Sequence, residues 1–370
     1  MSKKFLCVVM AIVAVSMFLF AFDCSAAPPK DKIRIGWVTS LTGHYASGVS
    51  GTNGPVYDLW IEEINAKGGI FVKEYGKRLP IELIKYDDKS DVGAMTKLLE
   101  KVILEDKVDF ILPPWGTAML YAAAPIANKH KYILLGGPGG AVKLKEIMDK
   151  VPYFFSVLNT AETQMPALAN IFAELKVKKV AIIYIQDLHG IEYRDLAFPE
   201  MKKKGIDVAF AKSFPHGTKD LTPLLKDAKA ANVDAFLGFV YPDEAFLVTG
   251  QAMEIGFNPK AFFLTVGPCV APYRDVFSAK GIEGVMGSGA WNAKVSPGAK
   301  KLEEGLLKRK AVVDYWGQLF YYSSLQMFEK AIEEAGTLDQ SKIRDLMATK
   351  TYDTAMGPMR FEKGFNTVHP

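Results

Sequence analysis

The sequence predicts an α/β fold built as two doubly wound parallel-sheet lobes. Three observations carry that prediction. Short apolar runs alternate with amphipathic helical runs, the alternation restarts near "YFFSV", and one long aromatic helical stretch follows the second series. Helices between apolar strands imply right-handed crossovers, hence parallel sheets covered on both faces. A chain of 370 residues is long enough for two such units. Its 49% hydrophobic and 23% charged residues are those of an ordinary globular protein. A net charge of +4 with no long basic run gives nucleic-acid binding no support.

The first element is a targeting segment. Lys3 and Lys4 form a basic start, Phe5 to Phe22 is apolar and uncharged, and Cys24-Ser25-Ala26 offers small residues for cleavage. Residues 1–26 therefore read as a cleaved export signal, in preference to a membrane anchor. A lipoprotein would want a small residue before Cys24, and Asp23 stands there. With Cys7 and Cys24 assigned to the signal region, Cys269 is alone in the body, so no internal disulfide is expected.

"IRIGWV" (33–38) reads as a buried strand. The next run, "PVYDLWIEEINAKGGI", places Val56, Trp60 and Ile64 on one helical face and Asp58, Glu62 and Glu63 opposite, with Gly68-Gly69 as the stop. Strand "PIELIKYDD", helix "VGAMTKLLEKVILED", strand "VDFIL", a helix from Thr117 to Asn128 and strand "KYILLGG" complete the first series. The second series alternates "ANIFAELK", "KVAIIYI", "YRDLAFPEMKKKG", "DVAFAKSF", "LTPLLKDAKA", "DAFLGFV", "DEAFLVTGQAMEIG" and "AFFLTVG". The late stretch "VVDYWGQLFYYSSLQMFEKAIEEAG" reads as a helix whose apolar face packs on a lobe. The division expected is lobe 1 over 31–155 plus 291–354, and lobe 2 over 156–290 plus 355–370.

In open α/β sheets, ligands sit outside the carboxyl ends of the strands. Pro113-Pro114-Trp115-Gly116-Thr117 lies at such an end and opens a helix. Backbone N–H groups there favour an anion, Gly116 lets a ligand approach the backbone, Thr117 caps the helix or offers a hydroxyl, and Trp115 offers a flat apolar wall.

The blocks "IGWVTSLTGHYAS", "EINAKGGI", "IELIKYDDKSD", "APIANKHKYILLGG" and "GTKDLTPLLKDAKAANVDAFLGF" together resemble the type I periplasmic binding proteins, in the leucine/isoleucine/valine-binding branch of ABC importers. The resemblance runs from about Lys32 to Gly364. It implies two lobes joined by three hinge crossovers, capture of a small organic solute between them, and delivery to an ABC permease complex in the inner membrane. Carried over residue by residue, the family's carboxylate-holding serine falls at Gly116 or Thr117. Its small residues and threonine after the fourth strand fall at Pro138, Gly139 and Gly140, where the threonine is missing. A second-lobe tyrosine corresponds to His189 and a later aromatic to Tyr241. The acidic partner of a ligand ammonium falls at Gly267, with no Asp or Glu adjacent. His44 and Tyr45, at a predicted pocket edge, and Trp291 complete the candidate site.

From these departures the expected solute is a small organic acid or amide without an α-ammonium group, an aromatic acid being favoured. Asp187, close to His189, is the residue able to restore an ammonium site and hence branched-chain amino acid binding. A ligand-sensing domain feeding a signalling partner would use the same fold. A dehydrogenase is disfavoured because "GGPGG" lacks the dinucleotide-binding spacing, and a hydrolase because no nucleophile constellation stands out. Cys269 reads as a small buried residue, and His130 and His216 read as solvated loop residues. The five histidines have no metal-ligand spacing, so neither metal nor cofactor is expected, and the periplasm is the expected location.

Overall fold

The computed structural model describes residues 30–368, so the export segment 1–26 and His369 lie outside the described residues. After β1 (Ile33–Thr39), a small hairpin of β2 (Ile70–Val72) and β3 (Lys77–Leu79) precedes β4 (Ile81–Asp87) and β5 (Phe110–Leu112). β1 is central, pairing in parallel with β4 on one side and β5 on the other. β6 (Leu134–Gly136) pairs in parallel with β7 (Phe154–Ser156). The second series gives one sheet of five parallel strands. They are β8 (Lys179–Ile185), β9 (Asp207–Phe214), β10 (Ala235–Phe239), β11 (Ala261–Leu264) and β12 (Val285–Gly287), in spatial order β12-β11-β10-β8-β9.

Helices cover the sheets on both faces, which is why the inner strands carry no polar alternation. All five residues of β10 are buried, as are six of the seven in β8. In the helix Asn53–Ala66, Val56, Trp60 and Ile64 are buried at 1% exposure or less, as their spacing requires. Gly69 closes the following turn at φ +109 with the Leu79 backbone against it, a place where a side chain has no room.

Two expectations shift. The late helix spans Gln318–Ala335 and does not begin at Val312. Its expected first turn is taken up instead by backbone pairing with two other chain segments. Ala271 N–H donates to Val313 O, Tyr315 N–H to Cys269 O, and both Ala290 and Trp291 N–H to Tyr315 O, so three chain segments run side by side. Asp314 Oδ1 and Oδ2 then accept from the Trp316 and Gly317 N–H groups, a local bond that competes with helix.

The second shift concerns the C-terminus. β13 (Tyr352–Thr354) and β14 (Gly357–Met359) form a hairpin, and β15 (Phe361–Glu362) and β16 (Phe365–Asn366) form another. β16 pairs with β7, and Asn366 Nδ2 donates to Val157 O. The sequence reading sets 355–370 with the second lobe; β15 and β16 join the sheet of β6 and β7, while β13 and β14 form a sheet of their own.

Candidate functional site

The turn after β5 is fixed from behind. Pro113 and Pro114 bring no N–H to the sheet ladder, and the Pro113 carbonyl accepts from Trp37 Nε1 at 3.1 Å. Trp115 Nε1 donates to Thr52 Oγ1 at 2.7 Å, and Thr52 Oγ1 donates to Gly48 O. The Trp115 ring fills the space where Gly48 would carry a Cβ. Gly116 sits at φ +105, in the region that favours glycine, and Thr117 opens the helix Thr117–Lys129.

Tyr45 is held from the first sheet. Asp87 Oδ1 accepts from Leu41 and Thr42 N–H, and Ser90 Oγ accepts from Tyr45 N–H while donating to Thr42 O. The "LTGHY" and "YDDKS" blocks are thus two halves of one shelf. Tyr45 OH reaches across to the second sheet and donates to Asp187 Oδ2 at 3.0 Å.

Asp187 caps the helix Leu188–Lys203 through Oδ1, which accepts from Gly190 N–H at 3.0 Å. Tyr241 OH donates to its Oδ2 at 2.9 Å. His216 Nε2 lies 3.4 Å from the same oxygen but is not aligned to bond it. Burial raises the Asp187 carboxyl, yet His216, His189 and the Gly190 N–H outweigh it and the net direction is down. The carboxylate therefore stays ionised at neutral pH with both oxygens engaged.

His189 is 1% exposed and stacks on Tyr241 with ring centroids 4.7 Å apart. Burial lowers its pKa to about 4, which keeps the ring neutral at pH 7. Its Nε2 lies 3.3 Å from Thr265 Oγ1. Glu192, one turn further on, crosses to the other side and accepts from Val142 and Lys143 N–H at 3.3 and 2.9 Å. Gly140 has no Cβ because the Glu192 carboxylate occupies that place.

Trp115, Gly116, Thr117, Gly139, His189 and Tyr241 are brought together around one small cavity, with Gly137, Val266 and Trp316. The cavity measures about 10 Å³, the room of roughly one water. Pro138 is buried in the same turn, and Gly140 N–H donates to Thr117 Oγ1 at 3.4 Å. Tyr45 packs behind, 5.4 Å from Tyr241 between ring centroids. His44 lies at the rim, stacked at 3.9 Å on His216.

Trp291 is placed elsewhere. It packs on Tyr315, its Nε1 donates to Asp314 O at 2.9 Å, and it is not among the residues around the cavity. His216 is half-buried against Tyr45 and Asp187, not solvated, because its loop is drawn over the cleft. His130 is half-buried too, as the residue that ends the helix Thr117–Lys129. Cys269 is buried, as expected of a small apolar residue. Gly267 stands at φ +129, and Ala245 Cβ occupies the space a side chain would need, so the family's acidic residue has no room here.

Sequence reasoning missed Trp316, Val266, His216 and Glu192. Trp316 hid inside the apparent start of a helix, although the "DYWG" run around it has the Asp and Gly of a turn. Glu192 looked like an exposed helical carboxylate, because nothing in sequence brings it to residues 142–143.

The periplasmic binding protein family model matches residues 32–370. The chain belongs to that family. As a periplasmic binding protein it is similar to Leu/Ile/Val-binding protein homolog 7 of Brucella abortus, at 23% identity over 360 residues covering 93% of this chain and 88% of the relative. Its fold is similar to that of a Rhodopseudomonas palustris ABC-transporter solute-binding protein in complex with benzoate. That likeness has a TM-score of 0.77 at 14% identity and covers 91% of each chain. A Streptococcus pneumoniae branched-chain amino acid transporter substrate-binding protein in complex with isoleucine matches with a TM-score of 0.75 at 20% identity, over 92% of this chain and 100% of that one. The family is one of extracytoplasmic solute-binding proteins, not of enzymes.

Proposed function

We propose that this chain captures a small organic acid, preferably an aromatic acid or the corresponding amide, and hands it to an ABC permease. The observation that carries this reading is the makeup of the cavity wall. Trp115, Tyr241 and Trp316 supply flat apolar faces, the helix beginning at Thr117 supplies donors for a carboxylate, and no carboxylate lines the cavity. Asp187, beside the cavity-lining His189, already serves two hydroxyls and an N–H. A ligand ammonium brought here would displace one of them, and an unpaired buried charge costs several kcal/mol. The benzoate-bound relative of like fold supports the same direction.

On this reading the chain closes as two lobes, passing between them near residues 155–156 and 290–291, the second passage lying beside segments 269–271 and 313–315. One lobe holds 31–155, 291–354 and the C-terminal strands; the other holds 156–290. Trp115, Gly116, Thr117, Gly139, His189 and Tyr241 touch the solute, and an export signal delivers the chain to the periplasm. Calorimetry of the processed protein tests it. Benzoate, benzamide and leucine are titrated in turn, and micromolar binding of the acid or the amide is expected. Micromolar leucine binding with no response to either aromatic would instead assign the site to branched-chain amino acids, with Asp187 released to meet the ammonium.

A further inference from the structure

Two histidines meet where the two series of strands face each other. His44 stands next to Tyr45 on the shelf of the first sheet, and His216 stands in the loop that follows β9 of the second. Their rings stack with centroids 3.9 Å apart and planes at 29°. Tyr45 lies edge-on to both, 4.2 Å from His44 and 5.4 Å from His216. Tyr241 lies parallel to His216 at 6.1 Å.

The two rings differ in how they can carry charge. His216 Nε2 lies 3.4 Å from Asp187 Oδ2, so a proton there is met by a carboxylate. That oxygen already accepts from the hydroxyls of Tyr45 and Tyr241. The ring contacts of His44 are with Tyr45 and His216. Burial, and then the neighbouring His216, lower its pKa, and Asp187 offsets them only in part. Half-buried itself, His44 lines a cavity of about 510 Å³ with Lys219, Asp243 and Glu244, so charges of both signs share its outer side. His189, on the far side of Tyr241, is held neutral by burial.

From this juxtaposition we propose that the His44–His216 stack is an acid-sensitive catch between the lobes, which a proton added to His44 releases. This rests on the two-lobe closure of the proposed function, and not on which solute is enclosed. In the parted form His44 faces water and its pKa returns to about 6.5. The closed form holds this proton less tightly than the open one. Closure is therefore fully favoured above about pH 6.5 and weakens as the pH falls below it. One such proton shifts the open-to-closed ratio by at most about tenfold per pH unit. Glu192 and Glu244 act in the opposite sense, because burial raises both carboxyls and protonation suits their buried form. The Asp187 carboxyl is lowered and stays ionised through this range. A comparison with a His44 variant, in which all these carboxylates remain, isolates the histidine.

Amide hydrogen exchange of the processed, solute-free protein reads that ratio. The Val142 and Lys143 N–H groups are bonded to Glu192 across the lobes and exchange when the lobes part. Corrected for intrinsic exchange and taken relative to His44→Gln, their protection should fall severalfold, up to about tenfold, from about pH 7.5 to about pH 5.5. His44→Lys, charged throughout, should show low protection at both. Amides of β8 should stay protected in every variant, which reports an intact fold. The same pH dependence in wild type and His44→Gln would overturn the catch. Nitrogen NMR of the wild-type imidazoles should show His44 titrating below about 6.5, and titration at or above that value would overturn it without any variant. Because no solute is present, failure of the aromatic-acid reading leaves these results untouched. Val142 and Lys143 amides as protected as those of β8 at both pH values would instead mean that the lobes do not part, and would sink closure and catch together.

Discussion

Asp314 provides a test of the packing where three chain segments run side by side, and it needs no ligand. Its carboxyl is wholly buried, and it is held by the N–H groups of Trp316 and Gly317 and by the Cys269 thiol. Burial outweighs those bonds and pushes its pKa up to about 6. In the unfolded chain the same group titrates near 3.9. The folded form thus holds the proton more tightly, so stability falls as pH rises from about 4 through about 6 and stays lower above that. A gap of about two pH units corresponds to about 3 kcal/mol. Asp314→Asn cannot ionise and should lack this fall. Its absolute stability is lower, since an amide NH₂ now faces a backbone N–H, but the difference from wild type should shrink or reverse by about 3 kcal/mol between about pH 4 and pH 7. Urea melts of both proteins, followed by tryptophan fluorescence, measure it. A difference that stays constant with pH would refute the argument, because every other titrating group cancels in the comparison.

Other expectations follow from the same packing. Gly48→Ala drives a methyl into the Trp115 ring and should cost about 1–3 kcal/mol in a denaturant melt; an unchanged midpoint would mean the ring has slack. Gly140→Ala should force Glu192 off the Val142 and Lys143 N–H groups, bonds that on the proposed closure hold the two lobes together. Solute affinity should then drop about tenfold or more by calorimetry, given about 1.5–3 kcal/mol for a bond to a charged group. Trp115→Ala should weaken the bound acid by about 1–3 kcal/mol, and equal affinity would confine that ring to structure. Mass spectrometry of the exported protein should find its first residue near Ala27, whereas an intact Met1 in the periplasmic fraction would contradict export processing.

Much of this was legible in the residues. Strands such as "AFLGF" and the Val56/Trp60/Ile64 face follow from local chemistry alone, and their partners merely complete them. Trp115, Gly116, Thr117 and Gly139 were readable because carboxyl ends of parallel strands gather by topology, whatever the helices between them do. What escaped depends on tertiary placement. Trp316 needs residues 269–271, 290–291 and 313–315 aligned before it lines the cavity. His216 needs its loop folded over Asp187, and Trp291 faces Tyr315 only because residues 290–291 donate to the Tyr315 carbonyl. The strand Phe365–Asn366 is two residues long, too short for any periodic signal, and only its pairing with β7 declares it.

The bond from Tyr45 to Asp187 has a consequence for signalling fidelity. On the proposed two-lobe closure it would join one lobe to the other through groups that belong wholly to the protein, so the shut outline would carry its own fastening. A permease that responded only to that outline would read an unloaded carrier as a loaded one. Any such false positive grows with the strength of the fastening, about 1.5–3 kcal/mol for a hydroxyl on a carboxylate. Each increment that helps grip the cargo also blurs the message that cargo has arrived. Tyr45→Phe should therefore sharpen the contrast between empty and filled carriers even as it loosens the grip, and a permease ATPase assay with and without solute would read the two effects separately.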